Sequence, residues 1–498
     1  MKLHSERHCG RRRQRGQALP FALVFLVVGA AALYLAFNAA QLAHAKTKEQ
    51  DTADSAAYSV GVLQARDLNF AAYTNRAMIA NQVAVAQMVS IKSYVDELAG
   101  TYSNSHWFDE FIESSAVLSE PWIMPKETGS TVLNVAKSAL DTGTRLASVA
   151  LDGLDKILSL EQAAYHDLII LQIPVVAEEV AQANEPNSHV TKTYFATRGA
   201  PALLSTLNFS QSNTPAGTTG KDRFADVVTD KTTLDQFVQQ RGANIRDPFV
   251  ASIIEWCPGA SFIAADNNHL GGTQLRQDKR GWESLDATDV NGGWLCYFEI
   301  GAVGGPIIDA AGSGGAATGP GSSYSGKRGY GGFNNFGGSL TSALAGIAAR
   351  EQYYKGPGSS LSSSEAGLQP YRELASLKTP TDGADFNRAP AITVEVQRAS
   401  STVSTTDQLR IASGRLQVAD GTANNQMRAV SSASAYFIRP ADASGSAAGA
   451  LMNLAHWRRS DNKWEYPSLF NPYWQSSLVD TNLAAIEAAD VAQSAGAP

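Results

Sequence analysis

Residues 18–58 read ALPFALVFLVVGAAALYLAFNAAQLAHAKTKEQDTADSAAY, an uncharged apolar run from Ala18 to Ala40 that passes without interruption into an Ala-rich polar helix pattern. A run of about 20 apolar residues is long enough to cross a hydrocarbon core. Pro20 sits in the first turn, where its missing N–H costs least. Ahead of the run stand Lys2, Arg7, Arg11, Arg12, Arg13 and Arg15 against Glu6, a local charge of +5 in a chain whose net charge is −7, which leaves −12 for the remainder. The positive-inside bias therefore predicts residues 1–17 as a basic cytoplasmic flank, 18–40 as a single transmembrane helix, and everything after Lys46 as periplasmic or extracellular. The expected location is the inner (cytoplasmic) membrane. A cleaved secretory signal is the competing reading, because Ala43-His44-Ala45 has the small-x-small spacing of a cleavage site. The run exceeds an ordinary signal core and the helical pattern continues past the site, which favours a retained anchor.

Beyond the apolar run there is no proline from Gln41 to Leu98 and only Gly61 among glycines, which predicts one long helix. Leu63, Phe70, Ala77, Ala84, Ile91 and Leu98 recur every seven positions as a helix-packing stripe. Asn75, Arg76, Asn81 and Gln82 stand beside it as a candidate polar seam, the alternative being a solvated face. The expected partner is a second helix over residues 132–183. Its contact face is predicted from Val135, Ala139, Leu146, Val149, Leu154, Ile157 and Leu158, and Pro174 should kink or end it. Residues 101–129, with Trp107, Phe108, Phe111 and Trp122, read as a connector capping this hairpin. The helical region as a whole spans 41–185.

From residue 186 to 477 the texture changes to short apolar runs separated by Pro, Gly, Asn and Thr. The fold class is accordingly α+β: the membrane helix and its long extension, a helical hairpin partner, then a mixed region with a small antiparallel sheet. Strands are predicted at 260–264, 294–300, 391–398 and 408–419, a Gly-rich mobile loop at 301–338, and a C-terminal helix and tail at 478–498.

Little in the sequence points to catalysis. GSSYSGKR at 321–328 places Arg328 where a phosphate loop needs Ser or Thr, and neither H-E-x-x-H nor G-x-S-x-G occurs. Asp266, Asn267, Asn268 and His269 read as a turn whose side chains bond their own backbone. No catalytic residue, metal ligand or cofactor is predicted, so the chain is not expected to be an enzyme. The acidic body argues against nucleic acid as a partner. Cys9 lies on the cytoplasmic side of the apolar run while Cys257 and Cys296 lie beyond it, which leaves either a Cys257–Cys296 bridge or two buried thiols. Phe470, Pro472, Tyr473 and Trp474 either close a core or form an interaction patch.

The order of a basic flank, Arg15-Gly16-Gln17-Ala18, an apolar helix and the Asp51 to Ala57 stretch DTADSAA resembles TadE/TadG-like proteins of the Tad (Flp) pilus-assembly system. DLNFAAYTNRAMIANQVAVAQMVS at 67–90 and SLFNPYWQSSL at 468–478 look like segments of the long TadG-like members. The resemblance implies a non-catalytic, membrane-anchored assembly factor or minor pilin-like protein, with the lipid bilayer and other pilus components as partners. A pilin-type cut after Gly16 would put Phe21 where filament subunits carry Glu, which favours assembly or anchoring over a filament role. A membrane-tethered enzyme acting on envelope polymers and a surface adhesin are the alternatives.

Overall fold

Helix α1 runs unbroken from Ala18 to Ser103, 86 residues, in a computed structural model that describes residues 18–104, 106–107, 126–215, 222–239, 241–247, 261–276, 278–319, 367–376, 382, 385–404, 426–438 and 466–495. Its first part stands clear of the remaining chain: Leu19, Phe21, Phe25, Leu26 and Leu33 are each at least two-thirds exposed. This is the one helix among the described residues that is long and apolar enough to cross a membrane. From about Glu49 onward the same helix is buried on most of its circumference, and only a narrow stripe through Tyr58, Arg66, Tyr73, Ala80 and Gln87 remains exposed.

The second long helix, α2 (Lys126–Asn184), packs alongside α1. It returns toward the base of the rod, where Lys48 Nζ meets Glu185 Oε2 at 2.7 Å. Pro174 neither ends nor interrupts it. Ile169, Ile173, Ala177 and Ala181, on both sides of the proline, are buried in one core with α1, and this shared burial holds the helix together across the missing hydrogen bond.

The β-strands wrap α1 in three antiparallel sheets. One contains β1 (His106–Trp107), β4 (Arg241–Asp247), β5 (Ser261–Leu275), β6 (Trp282–Phe298) and β7 (Gly301–Ala317), in the order β1-β7-β6-β5-β4. A second has the order β11-β10-β9-β2, from β2 (Ser188–Val190), β9 (Ile392–Ala399), β10 (Gln426–Phe437) and β11 (Trp474–Val479). The third pairs β3 (Ser210–Asn213) with β8 (Tyr371–Leu374). Short helices α3 (Ala200–Leu207) and α4 (Arg223–Val228) fill corners, and α5 (Leu483–Ala495) ends the described chain.

Among the described residues three large hydrophobic cores lie along α1. The first joins Ala53, Ala56, Ala57 and Val60 to α2, β9 and β10. The second joins Leu68 and Ala71 to Phe437, Leu469 and Trp474. The third joins Met78, Val85 and Val89 to Phe224, Leu275 and Trp282. The alanines of DTADSAA are fully buried, because their small side chains allow sheet and helix backbones to approach.

Several sequence expectations need correction. Residues 301–317 are not a loop but the long strand β7, paired with β6 along its length. Two of its glycines lie against α1: a Cβ at Gly312 would strike Thr101, and one at Gly314 would strike the backbone at Ser93 and Glu97. Glycine is used there for close approach, not for mobility. Asp266 to His269 form no turn; they lie within β5, with His269 opposite Thr288. Trp474–Val479 is a strand, so the terminal helix begins at Leu483 rather than at 478. The strands near 260 and 294 are longer than expected, and β9 spans Ile392–Ala399 against an expected 391–398. The predicted strand at 408–419, Phe108, Phe111, Trp122 and residues 320–338 of the Gly-rich stretch lie outside the described residues.

Because β7 touches α1 through backbone, Gly314→Val should separate the five-stranded sheet from the helix and cost about 1–3 kcal/mol, as overpacking does. Thermal unfolding of the variant should show a clear fall in Tm; an unchanged Tm would refute the contact.

Candidate functional site

The side chains predicted to matter on α1 divide sharply by burial. Of the seven-residue stripe, only Leu63 is buried; Phe70, Ala77, Ala84, Ile91 and Leu98 are half-buried at its edge. Phe70 rests against Tyr165 of α2, ring centroids 4.3 Å apart. In the predicted polar seam, Asn75 and Gln82 are fully buried, Asn81 is half-buried, and Arg76 is exposed.

The seam is a ladder of satisfied hydrogen bonds between α1, α2 and the strands. Gln64 donates to Pro390 O at 3.0 Å and to Thr206 Oγ1 at 3.2 Å, and accepts from the Ala435 amide at 2.8 Å. Asp67 Oδ2 lies 2.7 Å from His166 Nδ1. Asn69 completes the end of β11, donating to Trp474 O and accepting from Trp474 N. Asn75 donates to Leu469 O at 2.7 Å and Arg372 O at 2.9 Å, while Gln162 donates to Asn75 Oδ1 at 2.9 Å. Asn81 and Gln82 both donate to the Asp155 carboxylate at 2.7 Å, and Trp282 Nε1 donates to Gln82 Oε1 at 3.1 Å.

Buried amides with complete partner sets cost little and tolerate only one register, since a slip would strand them without partners. Sequence reasoning misses Gln64, Asp67, Asn69, Asp155, Gln162 and His166. The available signal is the seven-residue recurrence of Ser148, Asp155 and Gln162 on α2, a polar spacing that matches the polar positions of α1.

This reverses the expected face of α2. Thr144, Ser148, Asp152, Asp155, Gln162 and His166 are buried toward α1, whereas Val135, Leu146, Val149, Leu154 and Ile157, read as the contact face, are 43–67% exposed. Leu158 alone of the larger predicted contacts is packed against the core. Helical periodicity locates a stripe but not the side it faces; here buried polar partners on α1 draw the polar side of α2 inward.

Past the seam, where α1 meets the five-stranded sheet, Glu97, Asp286 and His269 come together. Glu97 and Asp286 are fully buried, and His269 is largely so. His269 Nε2 lies 3.4 Å from Asp286 Oδ1, and Nδ1 is 4.0 Å from Glu97 Oε2 and 2.7 Å from Thr288 Oγ1. Arg241 clamps Asp286 through Nε at 3.0 Å and Nη2 at 2.7 Å. Thr101 Oγ1 donates to Glu97 Oε1 at 2.9 Å, and Tyr94 packs edge-on to the His269 ring. Burial pushes Glu97 up to about 7, against the opposing pull of His269 and its hydroxyl partners. Burial also pushes Asp155 up to about 7, opposed by the Gln82 and Asn81 amides and reinforced by Asp152. Such groups can hold a proton near neutral pH.

Among the described residues no cluster of three or more His, Cys, Asp or Glu could hold a metal. Phe470, Tyr473 and Trp474 are buried and close cores rather than presenting a surface patch. Cys296 is buried and disulfide-bonded, while Cys257 and Cys9 lie outside the described residues.

Both raised carboxyls bind more protons folded than unfolded between their ordinary range near 4 and about 7. Their stabilising contribution is therefore full at low pH and is lost as pH rises through that window. Glu97→Gln and Asp155→Asn should each flatten the fall in Tm between pH 5 and 8 relative to the parent chain, measured by calorimetry at both pH values. A variant whose pH dependence matches the parent's would remove that residue from the titration.

No protein-family model, no curated protein and no solved structure matches this chain.

Proposed function

We propose that the chain is a non-catalytic, membrane-anchored component of a Tad/Flp-type pilus-assembly apparatus, acting as an assembly factor or minor pilin-like protein that supports surface adhesion. The observation that carries the reading is the single unbroken helix whose exposed apolar start and buried continuation belong to one rod. An element that lies in lipid at one end and is encased by sheets at the other transmits position from the bilayer to the head without a hinge. The resemblance of Arg15 to Ala18 and Asp51 to Ala57 to TadE/TadG-like proteins supports the same reading. So does the burial of Ala53, Ala56 and Ala57, which gives the DTADSAA motif a packing role.

A retained anchor is further supported at Ala45. This residue, at the end of the small-x-small signal, is buried with Val403 and Met427 in the middle of a helix, where a peptidase lacks the extended chain it reads. The partners expected on this reading are the bilayer and other pilus components.

Deletion of the gene should abolish or sharply reduce surface pili seen by electron microscopy. The full-length chain should stay with the membrane after an alkaline carbonate wash, and crosslinking should recover pilus-assembly neighbours. Normal piliation in the deletion strain, or a soluble mature form beginning at Lys46, would overturn the proposal.

A further inference from the structure

The outward face of α2 poses a problem the monomer leaves open. Leu146, Ile157, Leu160, Leu168, Leu171 and Val175 are 49–71% exposed and lie along one straight line on the helix. Their spacing combines steps of three and four (Ile157 to Leu160, Leu168 to Leu171 to Val175), which keeps them on one face of the helix. Gly153 falls on the same line, and a Cβ there would meet nothing within 4 Å. A glycine in a helix interior costs about 1 kcal/mol relative to alanine, and no contact among the described residues explains it.

We propose that this stripe is a dimerisation surface whose occupant is α2 of a second copy of the chain, packed in parallel. Two arguments select this occupant. The stripe is matched by itself: a two-fold axis along α2 sets each apolar residue against its own counterpart and gives Gly153 a reason, as a point of close backbone approach. The extent is also sufficient. From Val132 to Val175 the line covers about 65 Å at 1.5 Å per residue, and at a helix width near 10 Å two copies would bury about 1,300 Å² in total. That falls within the range of about 1,200–2,000 Å² typical of stable interfaces.

The parallel direction rests on the membrane-anchored reading, since two chains rooted in one bilayer must rise the same way. The existence of the dimer does not depend on it.

The test uses the full-length chain in detergent micelles. Leu146→Cys and Leu171→Cys, each alone and compared with the parent under the same oxidant, should each give a disulfide-linked dimer. These positions are about 37 Å apart along the helix, so an antiparallel pair could not link both to themselves. Leu160→Glu should weaken the dimer by at least about a hundredfold, as an unpaired charge buried in an interface does. The variant's helix content and Tm should stay unchanged. Three results would each overturn the proposal: a parent chain that is monomeric by light scattering, crosslinks that form only when the Leu146→Cys and Leu171→Cys variants are mixed, or a large fall in Tm in Leu160→Glu. That last outcome would mean the chain covers its own stripe. Loss or retention of pili in a deletion strain leaves these results untouched, so the two readings fail separately.

Discussion

The structure depends on the closure of buried polar groups around α1. A helix encased on most sides is penalised for amides left without partners, because each orphaned group costs about 1–3 kcal/mol. Gln64, Asn69, Asn75 and Gln82 meet this demand by bonding strand backbone, α2 side chains or the Trp282 indole. Those bonds fix the register of both long helices and tie each sheet to the same rod. Hydrophobic burial supplies most of the stabilisation, through three cores of which α1 forms one wall. The polar ladder determines which of many greasy arrangements is adopted.

The ladder also explains the unusual orientation of α2. An amphipathic helix on a soluble domain normally turns its apolar face inward. In its first half α2 turns inward the residues that complete the α1 partners, and its aliphatic residues face outward. Leu151 and Leu158 pack partly against the core, and near the C-terminal end, from Ile169 to Ala181, apolar residues become fully buried. The one helix therefore serves two surfaces, a polar one within the chain and an apolar one beyond it.

At the far end of α1 the character changes again. Close approach by Gly312 and Gly314 brings β7 onto the helix, and the neighbouring strands carry Asp286 and His269 to Glu97. Removing water at that junction makes the ionised carboxylate of Glu97 costly, so a proton is retained near neutral pH. The chemistry there follows from packing density rather than from any local motif.

The sequence alone determined the long helices, the α+β class and the apolar start of α1, because composition and periodicity over tens of residues act locally and accumulate. It also marked Asn75, Asn81 and Gln82 as polar positions beside an apolar stripe. It could not determine which face of α2 would be buried, since that depended on partners more than 70 residues away in α1. Nor could it show that glycines at 312 and 314 belong to a strand, since their role is set by a helix lying against them. The meeting of Glu97, His269 and Asp286 was likewise invisible, because residues nearly 200 positions apart are joined only when the sheet closes on the rod. Local propensity is written in the chain; the direction a side chain faces is decided by what the folded chain places opposite it.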